Sequence, residues 1–96
     1  MTDRELLELA AKACGLEEAK MRIEFNQWNP FTDDGDALRL AVKLRLVISP
    51  NDVTVMVYEP STMRRGEVYE LVGADPYAAT RRAITRAAAE IGRSMK

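Results

Sequence analysis

The densest chemical capacity in this chain lies between Thr32 and Asp36, within the run W-N-P-F-T-D-D-G-D-A-L-R-L at Trp28 to Leu40. Asp33, Asp34 and Asp36 place three carboxylates beside a hydroxyl and a glycine. A hard divalent cation wants several such oxygens converging at short range. A calcium loop, however, needs acidic or amide groups at alternate positions and a distal bidentate glutamate, and this run matches only fragments of that pattern. The same residue types open helices, where one side chain caps the first turn and the others meet its positive end. The spacing favours caps, so no metal ligand is assigned.

Other chemistries are narrowed by what is missing. The chain has no histidine, which removes the usual triads, dyads and most zinc sites. Its one cysteine, Cys14, lacks a neighbouring base and ends an apolar stripe, which marks a small core filler. Glu17, Glu18, Glu67 and Glu70 have the groups for acid–base work, but nothing in the sequence brings them together. The expectation is a protein with no enzymatic activity and no cofactor. Two sets of residues remain as candidate binding groups. Trp28 and Phe31 flank Pro30 and, with Arg64 and Arg65 on a loop, are candidate partner-binding residues, since exposed aromatics and arginines dominate binding hot spots. Burial of the aromatic pair as a loop staple is the structural alternative. Arg81, Arg82, Arg86 and Arg93 are candidate nucleic-acid contacts, because arginine forks match phosphate oxygens. Against that stand the absence of interleaved aromatics, a one-turn pairing of Glu90 with Arg86, and a net charge of −1, which favour a solvated helix face.

The elements that must position these groups follow from pattern. Thr2 and Glu5 form a capping box for a first helix, with Leu6, Leu9, Ala10 and Ala13 as its apolar stripe and Gly15 ending it near Cys14. Met21, Ile23 and Phe25 alternate with Arg22, Glu24 and Asn26, the signature of a first strand. After Asn29-Pro30, the run Ala37 to Leu44 carries leucine, alanine and valine around much of a helical circumference, predicting a well-buried second helix with Arg39 and Lys43 outside. Ser49-Pro50-Asn51-Asp52 is a turn by composition. Val53 to Tyr58 is a strand apolar on both faces, hence covered on both sides, and Glu67 to Val72 is its hairpin partner beyond a polar loop, Pro60 to Gly66. Asp75-Pro76 opens the last helix, with Tyr77, Thr80, Ile84, Ala88, Ile91 and Met95 as its apolar line and alanines allowing close packing.

The fold class is therefore α+β: one small domain over 1–96, in the order α-β-α-β-β-α. A three-stranded, mainly antiparallel sheet carries helices on both faces as an α/β/α sandwich, with a two-layer arrangement as the alternative. Ninety-six residues, 47% of them apolar, suit one core and no second domain. Fourteen basic residues balance 15 acidic ones, so no whole-molecule field draws the chain to nucleic acid or an anionic membrane. No membrane association is expected. A single cysteine and the lack of a secretory signal point to a reducing cytoplasm.

The block Trp28 to Leu44 together with G-A-D-P-Y-A-A-T-R-R-A-I-T-R-A-A-A-E-I-G at Gly73 to Gly92 resembles small proteins of tailed bacteriophages and prophages. That family is the phage ABA-sandwich domain, with its NinX-like relatives, and the first helix fits it as well. The segment Leu16 to Gln27 is shorter than the pattern, which implies a shortened first hairpin. The resemblance implies a layered α-β-α fold and a setting inside a bacterial host cell, and it carries no catalytic residues. The resulting expectation is a phage or prophage accessory protein that binds a host or phage macromolecule, foremost a protein, with inhibition of a bacterial defence system as one form. A nucleic-acid-binding regulator using the arginines of the last helix is the alternative reading. The free sheet edges allow a homodimer.

Overall fold

A computed structural model describes residues 1–62 and 65–95. Helix α1 (Asp3–Cys14) starts on the capping box: the Glu5 N–H donates to Thr2 Oγ1 at 3.1 Å, and the Thr2 N–H donates to Glu5 Oε1 at 3.2 Å. Gly15 ends it with φ 70°, a left-handed conformation that favours glycine. Its buried stripe is Leu7, Ala10 and Ala11, one residue round from the expected one, with Leu6, Leu9 and Ala13 half-buried at the margin.

The expected first strand at Met21 to Phe25 is instead a short helix, α2 (Ala19–Glu24). Its backbone bonds close locally, Arg22 N–H to Glu18 O and Phe25 N–H to Met21 O, both 3.0 Å, so the segment needs no sheet neighbour. It begins only a few residues after α1 and packs on it, out of reach of the sheet. Alternation over so short a run does not distinguish a strand from one and a half helical turns. Ile23 packs against the core while Met21 and Phe25 stay exposed.

Helix α3 (Asp34–Leu44) follows, and it ends at Arg45, whose φ of 56° is left-handed without a glycine. Ala37, Leu40 and Ala41 are buried, but Leu38 and Val42 are 61% and 68% exposed, so the helix buries one face and is not enclosed. The chain then enters the sheet with β1 (Val47–Pro50), β2 (Thr54–Glu59) and β3 (Arg65–Leu71), antiparallel in that order, with a single 3₁₀ turn at Pro60–Thr62 before β3. Three strands were expected and three are present, but the first lies where a turn was read. Pro50 closes β1 and is tolerated because β1 is an edge strand. The turn itself falls two residues later, over 51–54: Asn51 N–H donates to the Thr54 carbonyl at 2.9 Å, and Asn51 Oδ1 accepts from the N–H groups of Val53 and Thr54, both at 2.8 Å.

Cross-strand partners share a face, and burial tells which. Val55 and Val57 are enclosed, with Ile48 and Val68 opposite Val57 and Glu70 opposite Val55. Against this face lies α4 (Pro76–Ser94), opened by Asp75, whose Oδ1 accepts from Tyr77 and Ala78 N–H groups. Helix α4 is the centre of the molecule. It touches β2 and β3 on one side and α1 and α3 on others, and its buried residues are mostly alanine together with Ile84, Thr85 and Gly92. The expected apolar line holds at Ile84 and Ala88, but Tyr77 and Met95 at its ends are 73% and 41% exposed. Close approach of α1 is visible at Gly92, where a Cβ would sit 1.9 Å from the Leu9 carbonyl oxygen.

The architecture is thus α+β, with a three-stranded antiparallel sheet and helices packed on it. The order is α-α-α-β-β-β-α, not α-β-α-β-β-α, and the helices stack on one face: sheet, then α4, then α1 and α3. The sandwich with helices on both faces is not formed, because α1 and α3 bury their stripes against α4 and leave none for the far side of the sheet.

Candidate functional site

The aspartates that opened the argument are each held by a protein donor. Asp33 caps α3, its Oδ2 accepting from the Asp36 N–H at 2.7 Å. Asp36 uses both oxygens, one on the Asn29 N–H at 2.9 Å and one on Arg39 at 2.7 Å. Asp34 pairs with Arg81 of α4 at 2.7 Å. They organise the bend between Trp28 and α3, as the capping reading expected: Asp33 and Asp36 share Arg39, at 3.9 and 2.7 Å, while Asp34 turns to α4. Among the described residues no three acidic or thiol groups gather as a cation would need.

The aromatic pair separates. Trp28 is 8% exposed and belongs to the core, the burial that the staple reading expected. Phe31 is half-buried against the core, with the Arg82 guanidinium 5.3 Å from its ring centre. Arg64 lies outside the described residues, as does the side chain of Arg65.

The arginines of α4 are tied inward rather than presented. Arg81 donates to the Phe31 carbonyl and to Asp34, and its side chain is only 18% exposed. Arg86 pairs with Glu70 of β3 and also donates to the Tyr69 carbonyl at 3.2 Å. Arg82 bridges Asp3 at 3.4 Å and Glu70 at 3.8 Å. Arg93, 62% exposed and 3.6 Å from Glu90, faces solvent as a helix-surface residue, and the Arg82 side chain is itself 44% exposed. The expected Glu90–Arg86 pair is not made; Arg86 points at the sheet and Glu90 turns to Arg93. Arg81, Arg82 and Arg86 therefore each meet a carboxylate of another element, and of the four it is Arg82 and Arg93 that lie exposed, as on the expected solvated face.

Glu70, read from the sequence only as one of four carboxylates with nothing to bring them together, joins α4 to the sheet. The signal was present: in Glu67 to Val72 the alternation puts Glu70 on the same side as Val68, an acid at an inward position that requires a cation. Burial pushes the Cys14 thiol above its ordinary pKa, and its Sγ–H donates to the Ala11 carbonyl at 3.5 Å, an unreactive arrangement consistent with a core filler.

What the helices leave open is the second face of the sheet. Alternation and pairing put Val47, Met56 and Tyr58 there, with Tyr69 opposite Met56 and Leu71 opposite Thr54. Tyr69 is 55% and Leu71 74% exposed. Tyr69 Oη donates to Glu67 Oε1 at 3.1 Å, two residues back on the same strand. No helix among the described residues is long and apolar enough to cross a membrane. Comparison with protein-family models, with curated proteins and with solved structures gives no match to this chain.

Proposed function

We propose that this protein is a non-enzymatic accessory protein of phage or prophage type that works in the bacterial cytoplasm by binding another macromolecule, foremost a host or phage protein. The observation that carries the binding reading is the second face of the sheet, where Tyr69 and Leu71 are exposed beside half-buried Met56 and Tyr58. A strand that is apolar on both sides ordinarily lies between two layers, and contiguous apolar surface rimmed by polar groups suits a protein partner. The face carries aromatic and aliphatic groups beside Ser49, Thr54 and one acid, Glu67, and aromatic residues are enriched at interface centres. The phage setting rests on the resemblance of the Trp28 to Leu44 and Gly73 to Gly92 blocks alone. Inhibition of a bacterial defence system is one form such binding takes.

Affinity capture from a bacterial lysate tests this reading when wild type is compared with Leu71→Asp. Leu71 contributes little to the core, so the variant should keep its melting temperature and lose the retained partner. No retained partner, or one indifferent to Leu71→Asp, would sink the proposal. The alternative, a nucleic-acid regulator, draws no support from the geometry, since Arg81, Arg82 and Arg86 already hold carboxylates.

A further inference from the structure

A cleft of about 570 Å³ opens between the C-terminal end of α1, α2 and α3, away from the sheet. Its apolar lining comes from Cys14, Leu16, Trp28 and Leu40. Over this floor stand Arg22 from α2 and Lys43 from α3. Both are exposed, and neither side chain has a hydrogen bond or ion pair with any described residue. This sets them apart from Arg4, Arg39, Arg81, Arg82, Arg86 and Arg93, each of which meets a carboxylate.

The acidic groups at the cleft do not cancel the pair. Asp36 has both oxygens occupied by Asn29 and Arg39, which leaves Glu17 as the single carboxylate there without a donor. The unfilled hydrogen-bonding capacity is therefore dominated by cationic donors, set above an apolar base of a size that suits a small ligand. An arginine fork and a lysine ammonium lining one cleft from two elements are groups that match the oxygens of a carboxylate or a phosphate.

We propose that this cleft binds a small organic anion with a short apolar body, its acidic head between Arg22 and Lys43 and its body over Trp28, Leu16 and Leu40. The site is independent of the sheet face, so the two proposals stand or fall separately.

The chain has one tryptophan, which places a native fluorophore in the cleft wall. Sodium decanoate below its micelle concentration is the probe, and decyltrimethylammonium the control of opposite charge. Decanoate should change Trp28 emission saturably and shift the backbone amide signals of Leu16, Leu40 and their neighbours. The cationic control should bind about tenfold more weakly or worse, and Arg22→Gln with Lys43→Met should weaken decanoate binding by about tenfold or more. Both substituted side chains are exposed, and amide mapping on the wild-type protein provides a readout free of any folding defect. Equal response to both probes, binding unmoved in the double variant, amide shifts gathered elsewhere, or no saturable change would each overturn the proposal.

Discussion

Asp33, Asp34 and Asp36 are near neighbours in the chain but do different work, and their substitution should separate accordingly. Asp36→Ala removes the acceptor of a half-buried Asn29 N–H and frees Arg39, so it should cost about 1–3 kcal/mol in chemical denaturation. Asp33→Ala removes a helix cap and should cost about 1 kcal/mol. A smaller loss for Asp36 than for Asp33 would contradict the assigned roles. Titration gives a second check at this scale. The Thr2 backbone N–H, then its hydroxyl, holds the Glu5 carboxyl below its ordinary value of 4.5. A depressed folded-state pKa contributes stability above the unfolded value and loses it as pH falls through the folded one. The first turn of α1 should therefore loosen only in that acidic window, seen as faster exchange of the Glu5 and Leu6 amides. The raised Cys14 thiol works in the other direction: it should alkylate more slowly at pH 8 than a cysteine in an unfolded peptide, and equal rates would show that it is not sheltered.

Among the elements, α4 decides the packing. Its alanines and Gly92 allow α1 to approach backbone to backbone, and this closeness is testable with one methyl group. Alanine in place of glycine within a helix normally gains about 1 kcal/mol. At Gly92 the added Cβ would meet the Leu9 carbonyl, which belongs to a helix and cannot swing aside. Overpacking of this kind costs about 1–3 kcal/mol or more, so Gly92→Ala should lower the melting temperature, by about 4–8 °C for each net kcal/mol lost. An unchanged or raised temperature would mean the helices are further apart than described. The link between α4 and the sheet is ionic as well as apolar. Glu70→Ala would leave Arg86 and Arg82 without their shared partly buried acceptor, whereas Leu71→Asp next to it should be nearly neutral for stability. The pair of variants thus separates the inner face of β3 from its outer face.

At the scale of the whole molecule the striking asymmetry lies between the two sides of the sheet, one filled by α4 and the other left with Met56, Tyr58, Tyr69 and Leu71. The helical cleft bearing Arg22 and Lys43 is a separate surface built from α1, α2 and α3. A protein that uses the sheet for a partner and the cleft for an anion would show two non-overlapping sets of amide shifts. Saturating the cleft with decanoate should leave capture of the sheet partner intact.

Local chemistry determined much of this fold. The Thr2–Glu5 box, Gly15, the Asp33 cap, Asp75-Pro76 and the hairpin of β2 with β3 were all legible, because each depends on bonds within a few residues of backbone. Tertiary structure decided what short patterns leave open. Met21 to Phe25 alternates like a strand but closes its own helical bonds, and Val47 to Pro50 becomes an edge strand because β2 offers it a free row of donors and acceptors. Whether β2 is covered on both faces, and whether the arginines of α4 face solvent or Glu70, depends on where the helices come to rest. Periodicity reports which side of an element is apolar, whereas only the assembled chain settles which apolar sides meet and which remain open.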